Sequence, residues 1–319
     1  MREKIFIYHG NCFDGHTAAW VFSKFQRPGL NDAPVVYHPA TYGQDPPDCK
    51  GKEVWLVDFT YPREVMIEKV IKPSARTIIM DHHKTAQAAL DGILPELREK
   101  HRLQRDGDRV VFDMMRSGSG ILFDEMEREW GQKNGVREPR FQGKRGLWLV
   151  DYVEDRDLWN WKLKDSKLVS AYVSAQPMTF ESWDAILALG PEAVAKNGAA
   201  IQSYIDTFGK KVCEQARVEL IAGNAVPTIN TPYMNCSDHV NTLAQQYPDA
   251  PFAAGYFRRG DGRWQFSLRV REGCDFDCSE VAKSFGGGGH RAAAGFDVAE
   301  LPFEKWNEAT VAHMGEDTE

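Results

Sequence analysis

The chain has 319 residues, enough for two domains rather than a single core. Its composition, 42% hydrophobic and 27% charged, is that of a soluble globular protein, and no apolar run approaches the roughly 18 to 20 residues of a membrane span. A formal net charge of −7 argues against gripping long duplex nucleic acid, although a short anion can still be held where cations are supplied locally.

The first residues enter a strand directly (KIFIY, residues 4–8), without the apolar stretch of a signal peptide, which makes the cytoplasm the default expectation. Helical spacing follows over 17–25. Residues 34–38 (PVVYH) read as a second strand and 53–59 (EVWLVDF) as a third. Residues 62–71 read as a helix with proline in its first turn, and 76–80 (RTIIM) as a fourth strand. Strands alternating with helices predict βαβ units and a parallel sheet, an α/β fold. Residues 119–130 and 145–153 read as helices. The run 191–222 has helical periodicity and no internal proline after its first residue, so it is expected to be a connecting helix or two. Beyond it, 252–258 and 264–270 predict paired strands turning at Gly260-Asp261-Gly262, then a short helix over 278–285, a glycine loop over 286–289 and a polar tail. The expected division is a parallel-sheet domain over 1–189, a helical connector over 190–222 and a smaller α/β domain over 223–319. The six cysteines are scattered and read mostly as free thiols.

Three predicted strands end in the same kind of residue. KIFIY runs into His9, EVWLV into Asp58, and RTIIM into Asp81, His82 and His83; Asp14 lies in the loop after the first strand. The carboxyl ends of parallel strands share one edge, where ligands bind, so these residues are expected to converge. One aspartate at a strand end is usually a turn former or a helix cap. Three strands ending this way point instead to a metal or phosphate site, because clustered carboxylates need cations. Histidine with aspartate suits Mn²⁺, Mg²⁺ or Zn²⁺, and two such ions can clamp a phosphoryl group.

On these residues the sequence resembles the DHH phosphoesterase family. Asp81-His82-His83 matches the name motif, Asp58 in WLVDF the second motif, and HGNCFDG (9–15) the first. Asp155 in DYVEDRDLW resembles the fourth, with Asp151 and Asp157 as neighbouring alternatives. GGGGHRAAAGF (286–296) resembles the signature of the DHH-associated C-terminal domain and is the most specific match. The resemblance implies two divalent ions, Mn²⁺ first. His9 would hold one ion, Asp58 would bridge both, and Asp14, His82 and Asp155 would hold the other. Asp81 would orient His82, and His83 would contact the phosphoryl group. The family usually has a carboxylate where this chain has Cys12, which is then either a thiolate ligand or a spectator.

In the C-terminal part, the glycine run is expected to form an anion-binding nest of backbone N–H groups from Gly287, Gly288 and Gly289, with His290 and Arg291 adding side-chain donors. Alternation in WQFSLRV puts Ser267 and Arg269 on one strand face, with arginine suited to phosphate. Trp159 and Trp161 read as core or interdomain aromatics. The expected function is metal-dependent hydrolysis of short oligonucleotides or linear dinucleotides, as a 3′–5′ exonuclease or nanoRNase-like enzyme. The alternatives are a phosphohydrolase of 3′-phosphoadenosine phosphate, cyclic dinucleotides or polyphosphate, or a non-catalytic nucleotide sensor. No membrane partner is expected. The sequence leaves the oligomeric state open, a homodimer among the options.

Overall fold

The structure is a computed structural model and describes residues 2–26, 34–101, 103, 105, 107–134 and 146–303. The chain forms two compact units, 1–202 and 203–319. The expected polar tail after residue 313 lies outside the described residues.

The first unit is built on a five-stranded, all-parallel sheet. Its strands are β1 (Lys4–His9), β2 (Val35–Ala40), β3 (Glu53–Val57), β4 (Arg76–Asp81) and β5 (Arg109–Phe112), in the order β2-β1-β3-β4-β5. The middle residues of β1, β3 and β4 are buried on both faces (Phe6, Ile7, Leu56, Val57, Ile78 and Ile79), which is why these strands read as near-continuous apolar runs. One face packs on α1 (Phe13–Phe25), α5 (Gly118–Asn134), α6 (Trp148–Asp157), α7 (Ser166–Ser174) and α8 (Phe180–Leu189), around Trp20, Phe22, Leu122 and Trp183. The other face is covered by α2 (Arg63–Val65), which continues as π-helical turns over Met66–Ile71, and by α3 (Lys84–Leu90) and α4 (Ile93–His101), through Met66, Val70, Leu90 and Leu97. In this strand order the connections reverse direction between β1 and β3. The carboxyl edge at that switch point is the place where the fold itself opens a crevice.

The helix α9 (Pro191–Cys213) leads into the second unit. Here the structure corrects the expectation of helix through residue 222. The helix stops at Cys213, and β6 (Arg217–Ile221) pairs antiparallel with β7 (Asn224–Asn230). The second unit is a six-stranded mixed sheet in the order β10-β11-β9-β8-β7-β6. Its other strands are β8 (Ala253–Arg258), β9 (Trp264–Arg269), β10 (Gly288–His290) and β11 (Ala293–Val298). The helices α10 (Cys236–Gln246) and α11 (Cys278–Ser284) pack on it, and Phe252, Phe266, Leu268 and Phe296 form its core.

The glycine run is a second correction. It is a β-hairpin rather than a loop: Gly288, Gly289 and His290 pair with Gly295, Ala294 and Ala293, and Arg291-Ala292 make the turn. Close packing accounts for the glycine just before the hairpin. A Cβ on Gly287 would lie 2.2 Å from the Gly295 carbonyl oxygen and 2.5 Å from Phe296 Cβ. Among the described residues, no helix is long and apolar enough to cross a membrane.

Candidate metal centre

The carboxyl edge of the parallel sheet brings together His9, Cys12, Asp14, Asp58, Asp81, His82 and His83. Ligand atoms of His9, Cys12 and Asp58 lie within 4.8 Å of one another, and so do those of Asp14, His82 and Asp157. Asp58 belongs as well to a third such group, with Asp81, His82 and His83. It therefore stands at the junction.

Local backbone geometry aims these groups. Asp58 follows β3 in the left-handed region (φ 61°), an unfavourable conformation for a non-glycine residue, and its N–H donates to the Met80 carbonyl at 3.0 Å. Gly118 sits directly against it. A Cβ there would lie 2.7 Å from Asp58 Cβ and 3.0 Å from Asp14 Oδ2. The start of α5 also fixes Asp14, since Ser119 donates its backbone N–H to Asp14 Oδ1 at 3.1 Å and its hydroxyl to the same oxygen. A carboxylate at a helix N-terminus is favourably placed. Sequence reasoning passed over Ser117-Gly118-Ser119-Gly120. The available signal was a small, hydroxyl-rich run immediately before an apolar helix.

His82 Nε2 donates to Asp58 Oδ1 at 3.2 Å and lies 3.4 Å from Asp157 Oδ2. The expected partnership of Asp81 is corrected. Its Oδ1 accepts from the ring Nδ1 of His83 at 2.7 Å, whereas it meets His82 through the backbone N–H, also at 2.7 Å. Asp81 thus orients the ring of His83. This commits Nδ1, so any role of that ring toward a substrate falls to Nε2.

Asp155 is corrected too. Its side chain turns away from the ligand groups and accepts the backbone N–H groups of Lys162 (2.9 Å) and Leu163 (3.2 Å). Asp155 ties down the loop after α6, and Asp157 is the carboxylate that stands with Asp14 and His82. Asp151, also on α6, enters none of the ligand groups found among the described residues. The same loop is braced by Arg156, whose guanidinium lies 4.3 Å and 5.0 Å from the ring centroids of Trp159 and Trp161.

The electrostatics are those of crowded carboxylates and imidazoles. Burial, then Asp58 and Asp157, push the Asp14 carboxyl up to about 8. Burial by itself would lower His82, but Asp58, Asp157 and Asp14 outweigh it and raise the imidazole to about 10. Burial works to raise Asp58, yet His82, His83 and His9 hold it below the usual carboxylate range. Burial pushes the Cys12 thiol well up, and Asp58, Asp157 and Asp14 add to that. The donor set fits divalent cations. Asp58 Oδ2 and Asp81 Oδ2 are buried and accept no hydrogen bond, an arrangement that costs free energy unless a cation faces them.

Beside the centre, Tyr42 is 64% exposed. Its ring lies edge-on to His9 at 5.7 Å between centroids and against the buried Phe59 at 5.0 Å. The sequence did not single it out.

The other expected residues lie in the second unit. Ser267 and Arg269 share β9, and Arg269 donates to Ser267 Oγ at 3.1 Å and to the Ser237 hydroxyl at the start of α10. Gly287 precedes the hairpin that contains Gly288, Gly289 and His290. Arg291, at its turn, is exposed and paired with Asp275.

In fold, the chain is similar to a DHH domain. Among solved structures, the chain is similar to a DHH domain described as a member of the s1p family of ribosomal proteins, with a TM-score of 0.54 at 13% identity over 98% of this chain and 85% of that one. RecJ from Thermus thermophilus, in complex with Mn²⁺, aligns with a TM-score of 0.47 at 14% identity, over 92% of this chain and 49% of that one. An uncharacterised protein of Acanthamoeba polyphaga mimivirus is 26% identical over 330 residues, covering 94% of this chain and 70% of its own length. No family profile matches the chain.

Proposed function

We propose that the chain is a divalent-metal-dependent phosphoesterase that hydrolyses phosphodiester bonds of short oligonucleotides or linear dinucleotides. The observation that carries this reading is the meeting of two ligand groups, His9–Cys12–Asp58 and Asp14–His82–Asp157, at the switch point of a parallel sheet. Two divalent ions, Mn²⁺ first and Mg²⁺ or Zn²⁺ as alternatives, would supply Lewis-acid activation of water and neutralise phosphoryl charge.

The protein's own residues divide the remaining work. His9 and Asp58 would hold one ion, Asp14, His82 and Asp157 would hold the other, and Asp58, bonded to His82, would contribute to both. Asp81 holds the His83 ring, which sits above its usual pKa because Asp81 and Asp58 outweigh the effect of burial. His83 Nε2 would then carry a proton toward the leaving oxygen. Ser267, Arg269, His290 and Arg291 would bind substrate phosphate. Tyr42 favours a base-bearing substrate over polyphosphate, because an exposed ring beside the reacting centre is a stacking surface.

The test is a hydrolysis panel with ion-free protein reconstituted with Mn²⁺, Mg²⁺ or Zn²⁺. The substrates are a dinucleotide, a pentanucleotide, 3′-phosphoadenosine phosphate, a cyclic dinucleotide and polyphosphate, with Asp58→Ala as control. Metal-dependent cleavage of the first two, lost in the variant, supports the reading. Cleavage of polyphosphate alone, or binding of nucleotide without any turnover, overturns it.

A further inference from the structure

The two halves of the centre differ in one atom type. Asp14, His82 and Asp157 offer only nitrogen and oxygen. The other half, with His9 and Asp58, includes a sulfur. Cys12 stands at the N-cap of α1, where Ser, Thr, Asp or Asn is the usual residue. It lies one residue beyond Asn11, which adopts a left-handed conformation (φ 58°) in the turn out of β1. Cys12 is partly buried and forms no disulfide. Its Sγ, a ring nitrogen of His9 and a carboxylate oxygen of Asp58 fall within 4.8 Å of one another, close enough for one ion to touch all three. Independently of the cysteine, Asp58 Oδ2 points to a cation there. That residue is 1% exposed, the oxygen accepts no hydrogen bond, and it lies 3.8 Å from His9 Nδ1.

We propose that Cys12 is a thiolate ligand, so that the His9 half is a sulfur-bearing site for a borderline ion such as Zn²⁺ or Co²⁺, whereas the Asp14 half takes a harder ion such as Mn²⁺ or Mg²⁺. The inference rests on the two-ion reading given above. Its chemical basis is that thiolate donors select Zn²⁺ over Mn²⁺ and Mg²⁺, while carboxylate-rich sets suit the latter. Ligation replaces the thiol proton with the ion and releases that proton to solvent, with no oxidant or reductant involved. The centre is then built to hold two different metals, and its composition follows the supply of the softer one.

The experiment is Co²⁺ titration of the ion-free full chain, with bound ions counted by equilibrium dialysis and the near-ultraviolet thiolate-to-Co²⁺ charge-transfer absorption recorded alongside. The expected result is a charge-transfer band in the unmodified protein that is lost in Cys12→Ser and kept in Asp157→Asn; the variant retains the other five cysteines, so the loss assigns the sulfur. X-ray absorption of the Zn²⁺-loaded, unmodified protein needs no variant and is expected to contain a sulfur shell at about 2.3 Å. Ions bound without any sulfur signature, or a band that persists in Cys12→Ser, overturns the proposal and leaves the two-ion reading standing. Absence of any bound ion overturns both.

Discussion

His82 Nε2 donates to Asp58 Oδ1 at 3.2 Å, which joins the end of β4 to the end of β3 across the middle of the centre. Among the described residues, Asp58 belongs to two of the three ligand groups, and its bond to His82 ties it to the third, with Asp14 and Asp157, so its loss is expected to affect ion binding in both halves of the centre. Asp58→Ala is expected to reduce bound Mn²⁺ and to bring hydrolysis to background, while the circular dichroism spectrum is unchanged. Metal content by dialysis and turnover on a dinucleotide check this. Retained turnover would falsify the bridging assignment.

Asp155 and Asp157 are two residues apart and are expected to fail in opposite ways. Asp155→Ala removes the acceptor for two backbone N–H groups, which costs about 1–3 kcal/mol of stability. Asp157→Asn leaves those bonds in place and is expected to weaken ion binding with little change in melting temperature. Thermal unfolding measured beside metal titration separates the two; equal destabilisation by both variants counts against the assignment.

Ion binding is expected to release protons. Asp14 is protonated below about 8 in the ion-free protein and must be a carboxylate to ligate, and His82, at about 10, must give up its proton too. Apparent affinity therefore climbs with pH from 6 to 8, by about tenfold per unit for each proton released. Calorimetric titration in two buffers with unlike ionisation enthalpies reads the proton count directly. A count of zero would sink the prediction.

Tyr42→Ala is expected to raise KM for a dinucleotide by about 5–150-fold, the equivalent of roughly 1–3 kcal/mol of base stacking. A minimal phosphodiester without a base should respond to neither the ring nor its loss. Parallel kinetics on the two substrates provide the check, and an equal effect on both argues for a structural role under His9.

The second unit is expected to weaken in mild acid through His239. This residue is buried, its Nδ1 lies 2.7 Å from Thr231 Oγ1, and burial holds its pKa below the usual histidine value. The unfolded chain gains a proton near pH 6.5, whereas the folded one stays neutral. Stability present above that pH is therefore lost as pH falls toward the folded pKa. Melting temperature between pH 7.5 and 5, compared with His239→Gln, tests this; parallel curves for the two proteins would discount the residue.

Much of this architecture was legible beforehand. The strands β1, β3 and β4 announce themselves as buried apolar runs with a polar residue at the end, and parallel pairing carries those ends to one edge. What escaped did so for physical reasons. Residues 214–222 (EQARVELIA) suit a helix by local preference, but pairing with β7 decides their state. The strand β5 is only four residues long and partly exposed, too short to stand out against its charged surroundings. Asp155 and Asp157 are indistinguishable by type, and what separates them is two backbone N–H groups supplied by Lys162 and Leu163 seven and eight positions after Asp155. The glycine run read as an anion-binding loop because the close approach of Gly287 to Gly295 and Phe296 is a property of the folded chain alone.

The left-handed backbone at Asp58 is held by its N–H to the Met80 carbonyl and is seated on Gly118. Two segments far apart in sequence, the end of β4 and the start of α5, therefore share the aiming of one carboxylate, and a side chain at position 118 would push that carboxylate and Asp14 aside together.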